Sequence, residues 1–191
     1  TAVAVKNHHY GAQNPLAMFR KPVTAEKADA SEPVSSPLNV YDCCANADGA
    51  ACVILASEHR ARGLRQPPVW LIGMSCASAS ASVLGRASFT GLPSAERAAS
   101  EAYAMAGVRA DRIRVAEVHD CFSIAEIMAY EDLGFCARGA GGPFVEERQT
   151  WIGGRVPVNV DGGLKAKGHP IGATGVSMTC EIVKQLRGEA G

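Results

Sequence analysis

The chain has 191 residues, 47% of them hydrophobic and 20% charged, enough apolar material for a substantial core and a length that fits one domain or one and a half. Nineteen basic and nineteen acidic side chains cancel, and no basic run exceeds a dipeptide, so neither nucleic acid nor an anionic membrane finds a dedicated electrostatic footprint. No apolar segment approaches the roughly 20 residues of a spanning helix, and seven cysteines without CxxC or Cys/His spacing argue against a disulfide framework or a metal site and for a reducing, cytoplasmic setting.

Residues 1–5 form a short apolar stretch with no start signal and no initiator Met, so the chain is expected to be part of something longer. Residues 6–27 mix Gly, Pro and Asn without a sustained period, which predicts loops and short helices. His8 and His9 are neighbours, point different ways and have no acidic or Cys partner nearby, so they read as packing or surface residues. A Ser/Pro-rich connection over 31–37 follows. Residues 38–57 turn through Asn46-Ala47-Asp48-Gly49 into a small-apolar run expected as a strand buried on both faces. A brief helix over 58–64 should end at Gly63, and Pro67-Pro68 precedes a second buried strand over 69–76. The Ser/Ala tract 77–88 predicts a loop.

Ser94, with Glu96 and Arg97, opens an amphipathic helix closed by Gly107. Residues 111–118 predict a third strand, delivering His119-Asp120-Cys121-Phe122 at its carboxyl end. Ser123 and Glu126 make a capping box for a helix over 124–133. Residues 134–149 are a glycine-rich excursion. Val156, Val158 and Val160 predict a fourth strand, which runs into the stretch Gly162-Gly163 to Gly175 before a helix over 176–187. Strands alternating with helices argue for an α/β layer architecture, and such sheets place ligands at the carboxyl ends of strands. His119 and His169 both occupy such ends and are expected to converge on one pocket.

His169 lies between Gly168 and Pro170, which holds its imidazole at a loop apex in the manner of a catalytic base. The loop is neither GxxxxGK[ST] nor GxGxxG, so a phosphate cradle is the weaker reading. A His-Asp-Cys cluster at a strand end needs partners if buried and has no packing role if exposed. Catalysis and a structural hydrogen-bond network are the two accounts of it.

His119-Asp120-Cys121-Phe122, Gly162-Gly163, Gly168-His169-Pro170 and Gly172-Ala173-Thr174-Gly175 together resemble the thiolase superfamily, and the first motif resembles its sterol-carrier-protein-2 type. Lys6-Asn7-His8 with Asn14-Pro15, and Asp42-Cys43-Cys44 with Asp48-Gly49-Ala50-Ala51, extend the likeness over most of the chain. The resemblance implies an α/β, thiolase-like layered fold, with helices covering a mixed sheet, incomplete at both ends. Residues 1–37 would be a remnant of the loop region, 38–58 the last strand region of the N-terminal core domain, and 59–191 a truncated C-terminal domain. It implies that His169 activates a nucleophilic cysteine, that His119 holds a water or donor of the oxyanion hole, and that Cys121 is the acid/base at the reacting carbon. Phe122 and Cys44 would line the coenzyme A tunnel. The implied reaction is thiolytic cleavage or Claisen condensation of 3-ketoacyl-coenzyme A, with acyl-coenzyme A as substrate and no permanently bound cofactor or metal.

The family's nucleophile lies in its N-terminal half, and nothing before residue 38 resembles its surroundings, so this chain alone is expected to show no thiolysis. One alternative is a retro-aldolase of steroid side chains, although such relatives carry tyrosine where His119 stands. The other is a non-catalytic fragment or subunit that binds acyl-coenzyme A or a protein partner. A homo-oligomer or a partner chain is expected, because this chain is expected to lack the family's closing strands and so to leave a sheet edge unpaired.

Overall fold

A computed structural model describes every residue except Ala81, Ala87 and Gly191. Helix α1 (Ala2–Gly11) opens the chain, and α2 (Ala25–Asp29) precedes a small antiparallel hairpin of β1 (Pro33–Ser35) and β2 (Leu38–Asn39). A single turn, α3 (Glu58–Ala61), is followed by α4 (Pro93–Ala106), α5 (Ser123–Asp132), α6 (Gly141–Glu146), α7 (Gly163–Lys167) and α8 (Thr174–Arg187). Proline in the first turn of α4 and left-handed Gly107 after its last residue explain both ends of that helix. Left-handed Gly188 ends α8 in the same way.

Helices α1, α5, α6 and α7 surround one core in which Val3, Val118, Tyr130, Phe135, Phe144 and Val158 are buried. Two extended segments cross that core side by side in parallel. Ala116 N–H donates to the Pro157 carbonyl at 2.9 Å, and Asn159 N–H donates to the Ala116 carbonyl at 3.0 Å. The ladder stops there because Asn159 turns into the left-handed region at φ 54°. Its side-chain oxygen then accepts the Val118 N–H at 2.8 Å, standing in for the next backbone carbonyl. The third and fourth expected strands are therefore one bridge long, and a 3-10 turn at Ala110–Arg112 takes the start of the third.

The apolar runs at 50–57 and 69–76 depart further from expectation. Among the described residues they have no ladder partner, and Ile54 (91%), Leu55 (80%) and Leu71 (68%) are exposed. Their composition matches a doubly buried strand, but burial requires a layer on both faces, and each run is backed on one side: α4 covers Gly73, where a Cβ would lie 2.4 Å from the Ala102 carbonyl, and the Cys180 thiol of α8 donates to the Cys52 carbonyl at 3.4 Å. The expected loop at 77–88 includes Ala81 and Ala87, outside the described residues; within it, Val83–Gly85 form a 3-10 turn.

At the amino end, residues 2–11 are helical rather than a loose scrap. No side chain caps the first turn, and seven of the ten residues are buried, so packing holds α1 in place. It crosses α7 at glycine contacts: a Cβ on Gly11 would lie 2.4 Å from Ala166 Cβ, and one on Gly162 would lie 2.7 Å from Gly11 Cα. The capping box expected at α5 does not form. Phe122 is the N-cap residue, Ser123 Oγ donates to Asp42 at 2.8 Å, and Glu126 turns into the core. No helix among the described residues is long and apolar enough to cross a membrane.

Candidate active site

The strand-end loop after Val118 and the loop after α7 bring His119 and His169 together, with ring centroids 4.9 Å apart in an edge-to-face arrangement. His169 is buried and held from two sides. Its backbone N–H donates to the Ala45 carbonyl at 3.0 Å, and its ring Nδ1 lies 2.8 Å from Thr174 Oγ1. The Thr174 hydroxyl donates its one proton to the Pro170 carbonyl at 3.1 Å, so its oxygen accepts from Nδ1–H. Nε2 is then left with a free lone pair, the form a general base requires. His119 is exposed on its outer side, yet the protein around it strips enough water to push its pKa down, with the neighbouring His169 adding to the effect. A neutral imidazole follows at physiological pH.

Asp120, between His119 and Cys121, is fully buried. One carboxylate oxygen accepts the Leu164 N–H at 2.7 Å; the other accepts Lys165 N–H at 3.3 Å and Asn7 Nδ2 at 2.7 Å. It thus ties the His119 loop to α7, whose far end leads to His169. Gly163 is what permits the approach, because a Cβ there would sit 2.5 Å from an Asp120 oxygen. Behind Asp120, Glu126 receives Lys6 Nζ, Asn7 Nδ2, Tyr130 Oη and Asn159 Nδ2, all buried. Burial and then the Glu126 charge push Asp120 up to about 7. Glu117 nearby has two buried carboxylate oxygens without hydrogen-bond partners, and burial followed by the Asp161 charge holds its pKa well above the usual carboxylate range.

Cys121 is half-buried. Its carbonyl accepts the Cys44 N–H at 2.9 Å, and Cys43 pairs antiparallel with Phe122. Desolvation pushes both the Cys44 and Cys121 thiols up, with Lys165 opposing. Cys44 and Lys165 form the floor of a cleft of about 630 Å3 whose mouth carries Arg20, Lys21 and Lys27. His8, buried against Tyr41 and Phe19, lines it with an unpartnered Nδ1. Phe122 is not among the residues lining this cleft and is 42% exposed. Sequence reasoning expected His119 and His169 to converge, and their rings do meet; Cys44, expected in the coenzyme A tunnel, is joined to Cys121 by a backbone hydrogen bond and lines the cleft, which neither histidine does. Sequence reasoning missed Lys6, Glu126 and Asn159 as a buried network and Thr174 as the partner of His169. Periodicity carries no signal for the network, most of whose partners lie in distant segments, nor for Thr174, which meets His169 across the turn that opens α8.

Residues 75–191 match the model for the thiolase C-terminal domain-like family. The chain belongs to the thiolase family. It is 44% identical over 99% of its length to an acetyl-CoA acetyltransferase of Methanothermobacter thermautotrophicus, covering 49% of that protein. It is 38% identical over 97% of its length to sterol carrier protein 2 of Oryctolagus cuniculus, of which it covers 35%. The chain thus spans about half the length of the acetyltransferase and about a third of the carrier protein. The solved Ltp2-ChsH2(DUF35) aldolase superposes with a TM-score of 0.89 at 30% identity, over 99% of this chain and 50% of that one. A monomeric SCP2-thiolase like protein of Mycobacterium smegmatis shares the fold at a TM-score of 0.73 and 17% identity. The thiolase-like α/β layered fold read from the motifs is the fold these neighbours have.

Proposed function

We propose that this thiolase chain carries the acid–base and oxyanion-binding half of an acyltransferase acting on 3-ketoacyl-coenzyme A. The observation that carries the reading is the His119–His169 pair, with the Thr174 hydroxyl fixing His169 for proton acceptance at Nε2. Cleavage of a 3-ketoacyl thioester needs a thiolate, donors for two successive oxyanions and a proton at the departing carbon. In this reading His169 deprotonates a cysteine from the nucleophile-bearing half of the family, and His119 holds an oxyanion donor. Cys121, kept protonated by its surroundings, delivers the proton. The cleft with Arg20, Lys21 and Lys27 offers cations to the phosphates of coenzyme A, and Cys44 would line its inner end. Such a protein works as a homo-oligomer or with a partner chain.

The test is thiolysis of acetoacetyl-coenzyme A by the chain joined to a nucleophile-bearing half. His169→Ala should reduce turnover by about 10²- to 10⁴-fold and Cys121→Ala should reduce it comparably. Undiminished turnover in His169→Ala would reject the reading. The aldolase likeness at 30% identity supports a second reading, retro-aldol cleavage of a 3-hydroxyacyl thioester. Release of a ketone without any requirement for free coenzyme A would favour that reading over the first.

A further inference from the structure

The antiparallel register that pairs Cys43 with Phe122 sets Cys44 directly opposite Cys121, and the Cys44 N–H donates to the Cys121 carbonyl at 2.9 Å. Residues opposite one another in an antiparallel pair project to the same face, with Cα atoms about 5.5 Å apart in a hydrogen-bonded pair. Disulfides span Cα separations of about 4.4–6.8 Å and Cβ separations of about 3.5–4.5 Å, so closure draws the two Cβ atoms about 1 Å together from the separation of about 4.5–5.5 Å in an opposite pair. The Cys43 thiol is engaged separately, donating to the Asn39 carbonyl at 3.6 Å. All seven cysteines are free thiols, and both members of the pair are half-buried rather than sealed.

We propose that Cys44 and Cys121 are an oxidant-sensitive pair that closes a reversible disulfide across the candidate active site. The co-reactant is a peroxide. One thiolate attacks the O–O bond, giving a sulfenic acid and, after protonation, one water. The second thiol then displaces that hydroxyl as a second water, so two sulfurs lose two electrons together and the peroxide is reduced to two waters. A dithiol reductant reverses the bond. Closure removes the Cys121 S–H proton, and with it any acid or base that thiol supplies. The inference rests on register and chemistry alone and stands whichever reaction the site performs. The charge of Lys165, whose ammonium donates to the Asp42 carbonyl, favours the thiolate at both positions, whereas burial and the Asp120 carboxylate oppose it, so closure is faster in mildly alkaline solution.

Cleavage before aspartates isolates the pair, since residues 42–47 contain only Cys43 and Cys44 and residues 120–131 contain only Cys121. The protein is treated with hydrogen peroxide at pH 7 and pH 9, alkylated, digested and mapped by mass spectrometry. The expected result is a linked 42–47/120–131 species, lighter by two hydrogens than its reduced components, more abundant at pH 9 and lost on reduction. Cys43→Ser should keep the linkage and Cys44→Ser should abolish it, with far-ultraviolet circular dichroism confirming that both variants fold. Linkage through Cys43, a Cys52–Cys180 linkage alone, or overoxidation of Cys121 to a sulfinic acid with Cys44 still free would each overturn the proposal. The wild-type map decides the matter even if Cys44→Ser does not fold, because fragmentation between Cys43 and Cys44 locates the bond.

Discussion

The Thr174 hydroxyl has one proton to give, and because the Pro170 carbonyl takes it, the Nδ1 proton of His169 has a fixed acceptor. Thr174→Val keeps the shape and removes that acceptor, leaving a buried N–H unpaired. Turnover should fall on the order of 10²-fold, the imidazole ¹⁵N shifts should show a mixed tautomer, and Thr174→Ser should restore both. A Val variant with wild-type kcat and a single Nδ1–H tautomer would dismiss the assignment. Asp120 yields a second expectation with a definite sign. Its carboxyl holds a proton more tightly in the folded chain, at about 7, than unfolded, at 3.8. Its contribution is therefore full below about pH 4 and is lost as pH rises through about 7. The stability of the wild type minus that of Asp120→Asn, from urea unfolding, should decline between pH 5 and pH 7 and level off above. A difference that grows over that range would contradict the assignment of Asp120 as a proton-retaining group.

Between elements, the closest approach is the glycine crossing of α1 and α7. Gly11→Ala would force a methyl to within 2.4 Å of Ala166 Cβ, and overpacking of that kind costs about 1–3 kcal/mol. Gly175, in the first turn of α8, meets nothing within 4 Å beyond its chain neighbours, so Gly175→Ala should gain about 0.5–1 kcal/mol. Thermal unfolding of the two variants decides the point, and equal effects would mean that the crossing is looser than described. The same contrast explains what the sequence discloses and what it withholds. Helices α4 and α8 were readable because their signals are local: an amphipathic period and a glycine just beyond the last turn. Helix α1 was not readable, since its stability comes from α5, α6 and α7, far along the chain. The runs at 50–57 and 69–76 read as buried strands because composition reports only a propensity for burial, whereas burial itself depends on what lies alongside. At the site, the glycine–histidine–proline motif and the His-Asp-Cys cluster were legible as chemistry. Their supports were hidden: Asn159 becomes a ladder substitute only through its left-handed backbone.

For the molecule as a whole, Ile54, Leu55, Leu71, Ile72 and Met74 lie more than half exposed in two neighbouring stretches of sequence types that ordinarily pack inside proteins. The chain should therefore self-associate as concentration rises, and replacing Leu55 and Leu71 by Lys should suppress it, as read by light scattering. A wild type that remains monomeric across the same range would show that these side chains are harmless to solubility. The buried cluster beneath the active site has a different consequence. Asn7 reaches Asp120 across 113 residues of sequence, and Lys6 reaches the Val158 carbonyl across 152. The first helix is thus a component of the site supplied from the far end of the polypeptide, joined to it by contacts rather than by covalent proximity. A chain severed after Asn14 should lose the His119–His169 arrangement, and a separate peptide of residues 1–14 should restore it by docking into the vacated groove, as a key returned to its lock.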